Sequence, residues 1–548
     1  MRKYKWAAVG VFILGLLGIV ALHSYFNLME RISPPSEMWG RDKLIGVTTF
    51  NKEPVTAYDG KDINVIYAAD RSFKRAIIDG NGVLKETAEF GINGYDPQKL
   101  MKYRGNGSCL LMLEDFNLYY IDIRENKTVM DKKKLLSGIL GFELLQSGEN
   151  NYVAAYDKAA ITIYELKDGA LSKLSDALPA NNIKYVSLKL EAGGSFHMAY
   201  IEELKSLDYN LVYQTFNTAS KQWMPKIKPY VIENLSSYNL NNLQLCLDDG
   251  DAYLFYELYK TTPKGMVAQT YFTRIPKSSV SGEDPIFSIL NPDEEQYAGT
   301  AYISSLKCIA DDNDKLQLIM TTPIRTSLKR EGNELMYAVM DKGKIIEKQI
   351  ASNTGQWNND VMFSKYGSQY FAFFMQTMGR AQYEIRMTSS GEQYKLTANK
   401  ITREDISSAV RDTLSGYMFA MIQIFIGLII MVPALLWPIA VDFFEWKRFY
   451  YNENLTFNVG AIIELVFMFF NISIIYANSD ALQYMPDILK FTGAKYFYLL
   501  LTFAIAYAVS WLNRKSKKDV HIFVRMLSFV IIHLILIYFL FAKYIAGF

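Results

Sequence analysis

Apolar residues are spread unevenly along the chain, and the unevenness divides it. Five runs are long and continuous: Trp6 to Leu22, Tyr417 to Val441, Phe457 to Ala477, Tyr496 to Leu512 and Ile522 to Ala542. A hydrocarbon core about 30 Å thick needs roughly 20 apolar residues in a helix, so each run predicts a transmembrane helix. Between Trp39 and Lys400 no run reaches that length and no 3.6-residue period is sustained. Apolar positions there form short alternating stretches rich in β-branched and aromatic residues, which predicts strands joined by tight turns.

Those turns recur. The first of each unit reads Asp59-Gly60-Lys61-Asp62, Glu114-Asp115-Phe116-Asn117, Gly148-Glu149-Asn150-Asn151, Ala192-Gly193-Gly194-Ser195, Asp248-Asp249-Gly250-Asp251, Asp311-Asp312-Asn313-Asp314 and Tyr366-Gly367-Ser368-Gln369. A strand follows, then a second hairpin with turns such as Asp79 to Gly82, Lys167 to Gly169, Asp341 to Lys344 and Ser389 to Glu392. Gly, Asn and Asp suit these places because short hairpin loops need positive φ. A spacing of about 50 residues matches one four-stranded blade, so the expectation is a seven-bladed β-propeller, with Ile45 to Phe50 closing the ring near Tyr394. The second unit is irregular, because Leu118 to Ile123 serves both of its hairpins. Six or eight blades, or a pair of β-sandwiches, are the competing arrangements.

Basic residues orient the apolar helices. Arg2, Lys3 and Lys5 precede the first run, Lys447 and Arg448 follow the second, and Arg514, Lys515, Lys517 and Lys518 follow the fourth. All three clusters fall on the cytoplasmic side if the N-terminus is inside. No small-x-small cleavage pattern follows Val20, which favours an uncleaved anchor over a signal peptide. The organisation expected is a transmembrane anchor at residues 1–25 and an extracytoplasmic propeller-like domain at 26–400. A stalk at 401–415 and a four-helix transmembrane domain at 416–548 complete it. The setting is a plasma membrane.

Composition removes several kinds of chemistry. With 58 basic and 56 acidic residues, no global field points to nucleic acid. Only His197 of the four histidines lies in the β-rich region, which argues against a His-based metal site there. No Gly-x-Ser-x-Gly elbow, phosphate-cradling Gly-Lys-Ser loop or Cys-x-x-Cys pair occurs, so neither catalysis nor a cofactor is inferred. The acidic turns at Asp248 and Asp311 lack the spacing of a dedicated calcium loop and are expected to be solvated hairpins. Cys109, Cys246 and Cys308 are expected on inner strands as small buried hydrophobes, with Cys246 and Cys308 the only pair in matching positions of adjacent units. Asn106, Asn126 and Asn234 stand in glycosylation sequons.

Polar residues inside the apolar runs are costly and face a partner or a cavity. Glu464 and Asn471 in the third helix and His533 in the fifth are the candidates. By helical rise, Glu464 lies roughly 10 Å from the start of its run and His533 roughly 16 Å, depths compatible with contact. The function expected is a membrane-anchored binding or scaffold protein whose propeller takes a protein partner or cell-envelope polymer. The alternative is a transporter or channel component with the propeller as an outer gating or delivery domain.

Overall fold

The computed structural model describes the chain except residues 1, 59–60, 107, 125–126, 149, 192, 206–207, 233–238, 263–264, 278–285, 291–302, 311–314, 326–330, 380, 478–481, 484, 517–519 and 546–548. The chain forms two compact units, one made of residues 34–324 and 331–399 and the other of residues 1–33, 325–330 and 400–548.

The first unit is a seven-bladed β-propeller. Its innermost strands, in blade order one to seven, are Val55–Tyr58, Leu100–Gly105, Gly141–Ser147, Ile183–Leu190, Asn239–Leu247, Ser304–Ala310 and Asn358–Tyr366. Each pairs antiparallel with the next strand outward. The second strands of blades one and two, Ile63–Ala68 and Cys109–Glu114, are buried at every position. Both of their faces meet a neighbouring blade, which is why the sequence there is almost continuously apolar. Between blades one and two, for example, Ile66, Phe73, Tyr103, Leu110 and Ile121 form one cluster.

The ring is closed by its beginning. Lys43–Thr48 is the outermost strand of blade seven, pairing with Gln382–Ser389 so that Lys43 faces Met387 and Thr48 faces Tyr383. The last blade needs no fourth strand of its own, so Ser389 to Glu392 is not a hairpin turn: the chain enters a helix, Glu392–Ala398. Tyr394 of that helix is fully buried, its hydroxyl 2.7 Å from the carbonyls of both Arg41 and Met387.

Blade two departs from the sequence reading. Its innermost strand ends at Gly105 and its second begins at Cys109, so Glu114 to Asn117 joins the second and third strands, with positive φ at Asp115 and Phe116. Cys109 therefore lies on the second strand rather than the first. Asn106 is buried, its Oδ1 accepting the Ser108 and Cys109 N–H groups at 2.9 and 2.8 Å, so its amide shapes the turn. Asn126, Asn234 and the turn at 311–314 lie outside the described residues. At the other acidic turn Asp248 Oδ1 accepts the Gly250 and Asp251 N–H groups, and Asp251 pairs with Arg274. Cys246 and Cys308 are not merely small buried residues: they form a disulfide between blades five and six.

The second unit holds five helices long and apolar enough to cross a membrane, in Arg2–Ile32, Arg403–Ile430, Glu453–Ala477, Ala494–Ser516 and Ile522–Ile545. The second begins well before Tyr417, because Thr402 and Asp405 form a reciprocal capping box at its start. Residues 403–415 are thus one helix with the apolar stretch, and they pair with the end of the first helix. Arg31 meets Asp412 at 2.8 Å, and Asn27 donates to Thr413 at 2.8 Å. The apolar run from Tyr417 to Val441 is broken at Met431, and a shorter helix, Val432–Phe443, follows. Pro433 explains the break: it has no N–H to give and its ring displaces the carbonyl four residues back.

Candidate binding channel and intramembrane polar pair

In the propeller, alternate residues of each innermost strand face the axis. They enclose a cavity of about 310 Å³ lined by all seven blades or the segments leading into them. Its charges form a chain. Glu53 is held by Lys307 at 2.6 Å and Arg104 at 3.0 Å, and Glu143 by Lys102 at 2.9 Å and Arg104 at 3.9 Å. Burial pushes the Glu53 carboxyl up, but Lys307 and Arg104 outweigh it and hold it at about 2. Burial likewise lowers Lys102, with Glu143 opposing.

Two carboxyls of the cavity have no cation within salt-bridge distance among the described residues. Glu257 accepts the Ser305 N–H at 3.0 Å and the Asn241 amide at 3.3 Å, and burial lifts it to about 7. Asp360 is lifted to about 6 by burial and by the nearby Glu53. The backbone beside them is unusual. Asn242, Ser305 and Asp360 all have positive φ, at 62°, 53° and 49°, and each interrupts the register of the innermost strand in blades five, six and seven. Bulges of this kind turn a side chain away from its regular direction, here at the same level of three consecutive blades.

The sequence reading did not find this site. Its signal was present but diffuse. Lys102 and Arg104 are two apart, hence on one face of a strand, Glu143 and Lys307 are the single charges of their strands, and Asp360 shares its strand only with Lys365. His197, by contrast, is a buried blade residue bonded to Tyr213 and Glu191.

In the helical unit, Glu464 and His533 are both fully buried and in contact, Glu464 Oε1 lying 2.6 Å from His533 Nδ1. His533 Nε2 lies 3.0 Å from Thr502 Oγ1 of the fourth long helix. Glu464 Oε2 is buried without a hydrogen-bond partner among the described residues. Asn471 is not part of this contact: two turns further along, its amide donates to the Tyr538 hydroxyl at 2.5 Å. Arg525, which the sequence reading passed over, lies in the first turn of the fifth helix with its guanidinium 4.0 Å from the Phe457 ring centroid.

No family model and no curated protein matches the sequence. Solved structures of similar fold include the WD40 domain of Toxoplasma gondii coronin, 8% identical, with a TM-score of 0.39 over 67% of this chain and 88% of that one. They also include an ulvan lyase of polysaccharide lyase family PL25, 10% identical, with a TM-score of 0.40 over 68% and 98%. A third is an α-L-arabinanase of Penicillium chrysogenum complexed with arabinobiose, 10% identical, with a TM-score of 0.35 over 55% and 96%. Likeness at this level concerns the propeller fold alone.

Proposed function

We propose that this is a plasma-membrane binding protein. Its propeller lies on the outer side and takes a protein partner or cell-envelope polymer, and its helices anchor it or join a larger membrane complex. What supports this is the axial cavity, where side chains from the blades or the segments leading into them converge and two buried carboxyls have no cation within salt-bridge distance among the described residues. At about 310 Å³ the cavity admits one sugar residue or one side chain, so the partner inserts a single polar group there and rests the remainder on the face of the ring. The basic clusters at Arg2 to Lys5, Lys447 to Arg448 and Arg514 to Lys518 support an inside N-terminus. The Cys246–Cys308 disulfide fits an oxidising compartment outside it.

Cross-linking the full-length protein in its native membranes, followed by mass spectrometry, tests the reading. A partner lost on Lys307→Glu but retained on exposed-surface changes is the expected result. Equal capture by the helical unit alone would overturn it. A second reading, a transporter or channel component, is favoured by one observation, the Glu464–His533 contact within the helices.

A further inference from the structure

The hydrogen bonds around His533 fix how many protons the cluster holds. The Thr502 hydroxyl donates to the Tyr498 carbonyl at 2.8 Å, so its oxygen is left to accept from His533 Nε2–H at 3.0 Å. Nδ1 then faces Glu464 Oε1 across 2.6 Å, and that distance requires a proton between them. With the proton on either side the pair is neutral overall. Without it, a carboxylate would face a ring lone pair at full burial, an arrangement disfavoured unless the cluster opens. Glu464 Oε2 has no hydrogen-bond partner among the described residues.

The charged and titratable groups on the packed helices are otherwise engaged or distant. Tyr507 donates to Asn458, Tyr498 to the Ile488 carbonyl, Tyr538 accepts from Asn471, and His23 meets the Leu540 carbonyl at 2.9 Å. Arg525 is the nearest cation along the fifth helix, two turns or about 12 Å from His533 by helical rise. Of the other charged side chains in the second long helix, Asp412 pairs with Arg31 at 2.8 Å, near the start of the helix and away from the cluster. Structural glue would ask only for satisfied polar atoms. A fully buried acid, a fully buried base and one acceptor oxygen left open are what a proton site needs.

We propose that Glu464, His533 and Thr502 form a proton-binding site of the helical unit, with Glu464 Oε2 as the atom through which the proton enters and leaves. Loaded, the cluster holds one proton between Oε1 and Nδ1 and has no net charge. Unloaded, it is a carboxylate beside a neutral imidazole, charge −1, and the proton has passed to water. The inference rests on the helices lying in a membrane and is independent of what the propeller binds. It makes the bundle a proton-responsive element rather than a passive anchor.

The test is pH-difference infrared spectroscopy of the full-length protein in lipid nanodiscs. Acidification should produce a protonated-carboxyl band or an imidazolium ring mode that is lost in Glu464→Gln. Thr502→Val, a milder change, should alter the imidazole ring modes in that difference spectrum, because the Nε2–H loses its acceptor. Should Glu464→Gln fail to assemble, His533→Gln must still shift or abolish the signal. A wild-type spectrum without either band, or one unchanged in the assembled variants, overturns the proposal.

Discussion

Cys246 and Cys308 tie the innermost strands of two adjacent blades together, their Cα atoms 6.4 Å apart and 62 residues apart in sequence. Cross-linking removes conformations from the unfolded chain in proportion to the logarithm of the loop it closes. For a loop of this size the loss on removal is about 4 kcal/mol. Cys246→Ser with Cys308→Ser should therefore lower the denaturant midpoint of the propeller, and reduction of the wild type should lower it by a similar amount. An unchanged midpoint in both would show the bond to be dispensable.

The Tyr394 hydroxyl sits between two carbonyls, of Arg41 before the closing strand and Met387 opposite it, while its ring packs beside Gly40 and Gly82. Tyr394→Phe leaves the carbonyls without their donor and should cost about 1 kcal/mol. Tyr394→Ala also opens a cavity at the junction and should cost about 3–5 kcal/mol. Because each blade buries its faces only against neighbours, the loss should appear as one cooperative transition of the whole ring. Separate melting of blade seven would contradict a closed ring.

Burial lifts Glu257 from its ordinary 4.5 to about 7. Below about 4.5 the group is protonated folded or unfolded. Between 4.5 and 7 the unfolded chain releases the proton and the folded chain retains it, so stability falls as pH rises and levels off above 7. The full effect is about 3 kcal/mol, and Glu257→Gln should flatten the curve across that window. Glu53 acts in the opposite sense. Held at about 2, it contributes stability that is lost as pH falls from 4.5 toward 2. Denaturation followed from pH 3 to pH 8 should show the two slopes, and Lys307→Met should remove much of the acid one.

Topology is checked by reporter fusions after Lys400, Asn452, Lys518 and Phe548. Residues 446–456 and 513–521 are expected inside, and Lys400 and Phe548 outside. A reporter active only outside the cell that works at Lys518 would reverse the scheme.

The hairpin turns were legible because their chemistry is local: Gly148, Gly194 and Gly367 occupy positive φ where the residue type demands it. Blade two was misread although Asn106-Gly107 is a strong turn signal, because Glu114 to Asn117 has two left-handed residues of its own and drew the assignment. The closing strand was legible as an unpaired β-stretch ahead of the first unit. The axial cavity was not legible, since its charges are scattered singly or in pairs over six blades, on strands and lead-in segments whose inward face only the ring defines. Glu464 and His533 stood out against apolar runs, whereas Arg525 was overlooked at the margin of one. Thr502 gave no signal, being ordinary until its helix meets the fifth.

Asp42 and Arg386, an ion pair where the ring closes, are 344 residues apart. A ribosome adding about 5–20 residues per second needs roughly 20 to 70 seconds to cover that distance. Over that interval the strand from Lys43 to Thr48 exists with its eventual partner still untranslated. Its backbone N–H and C=O groups are meanwhile open to any passing strand edge. Biogenesis of this protein therefore includes a waiting period for the closing strand that is set by translation.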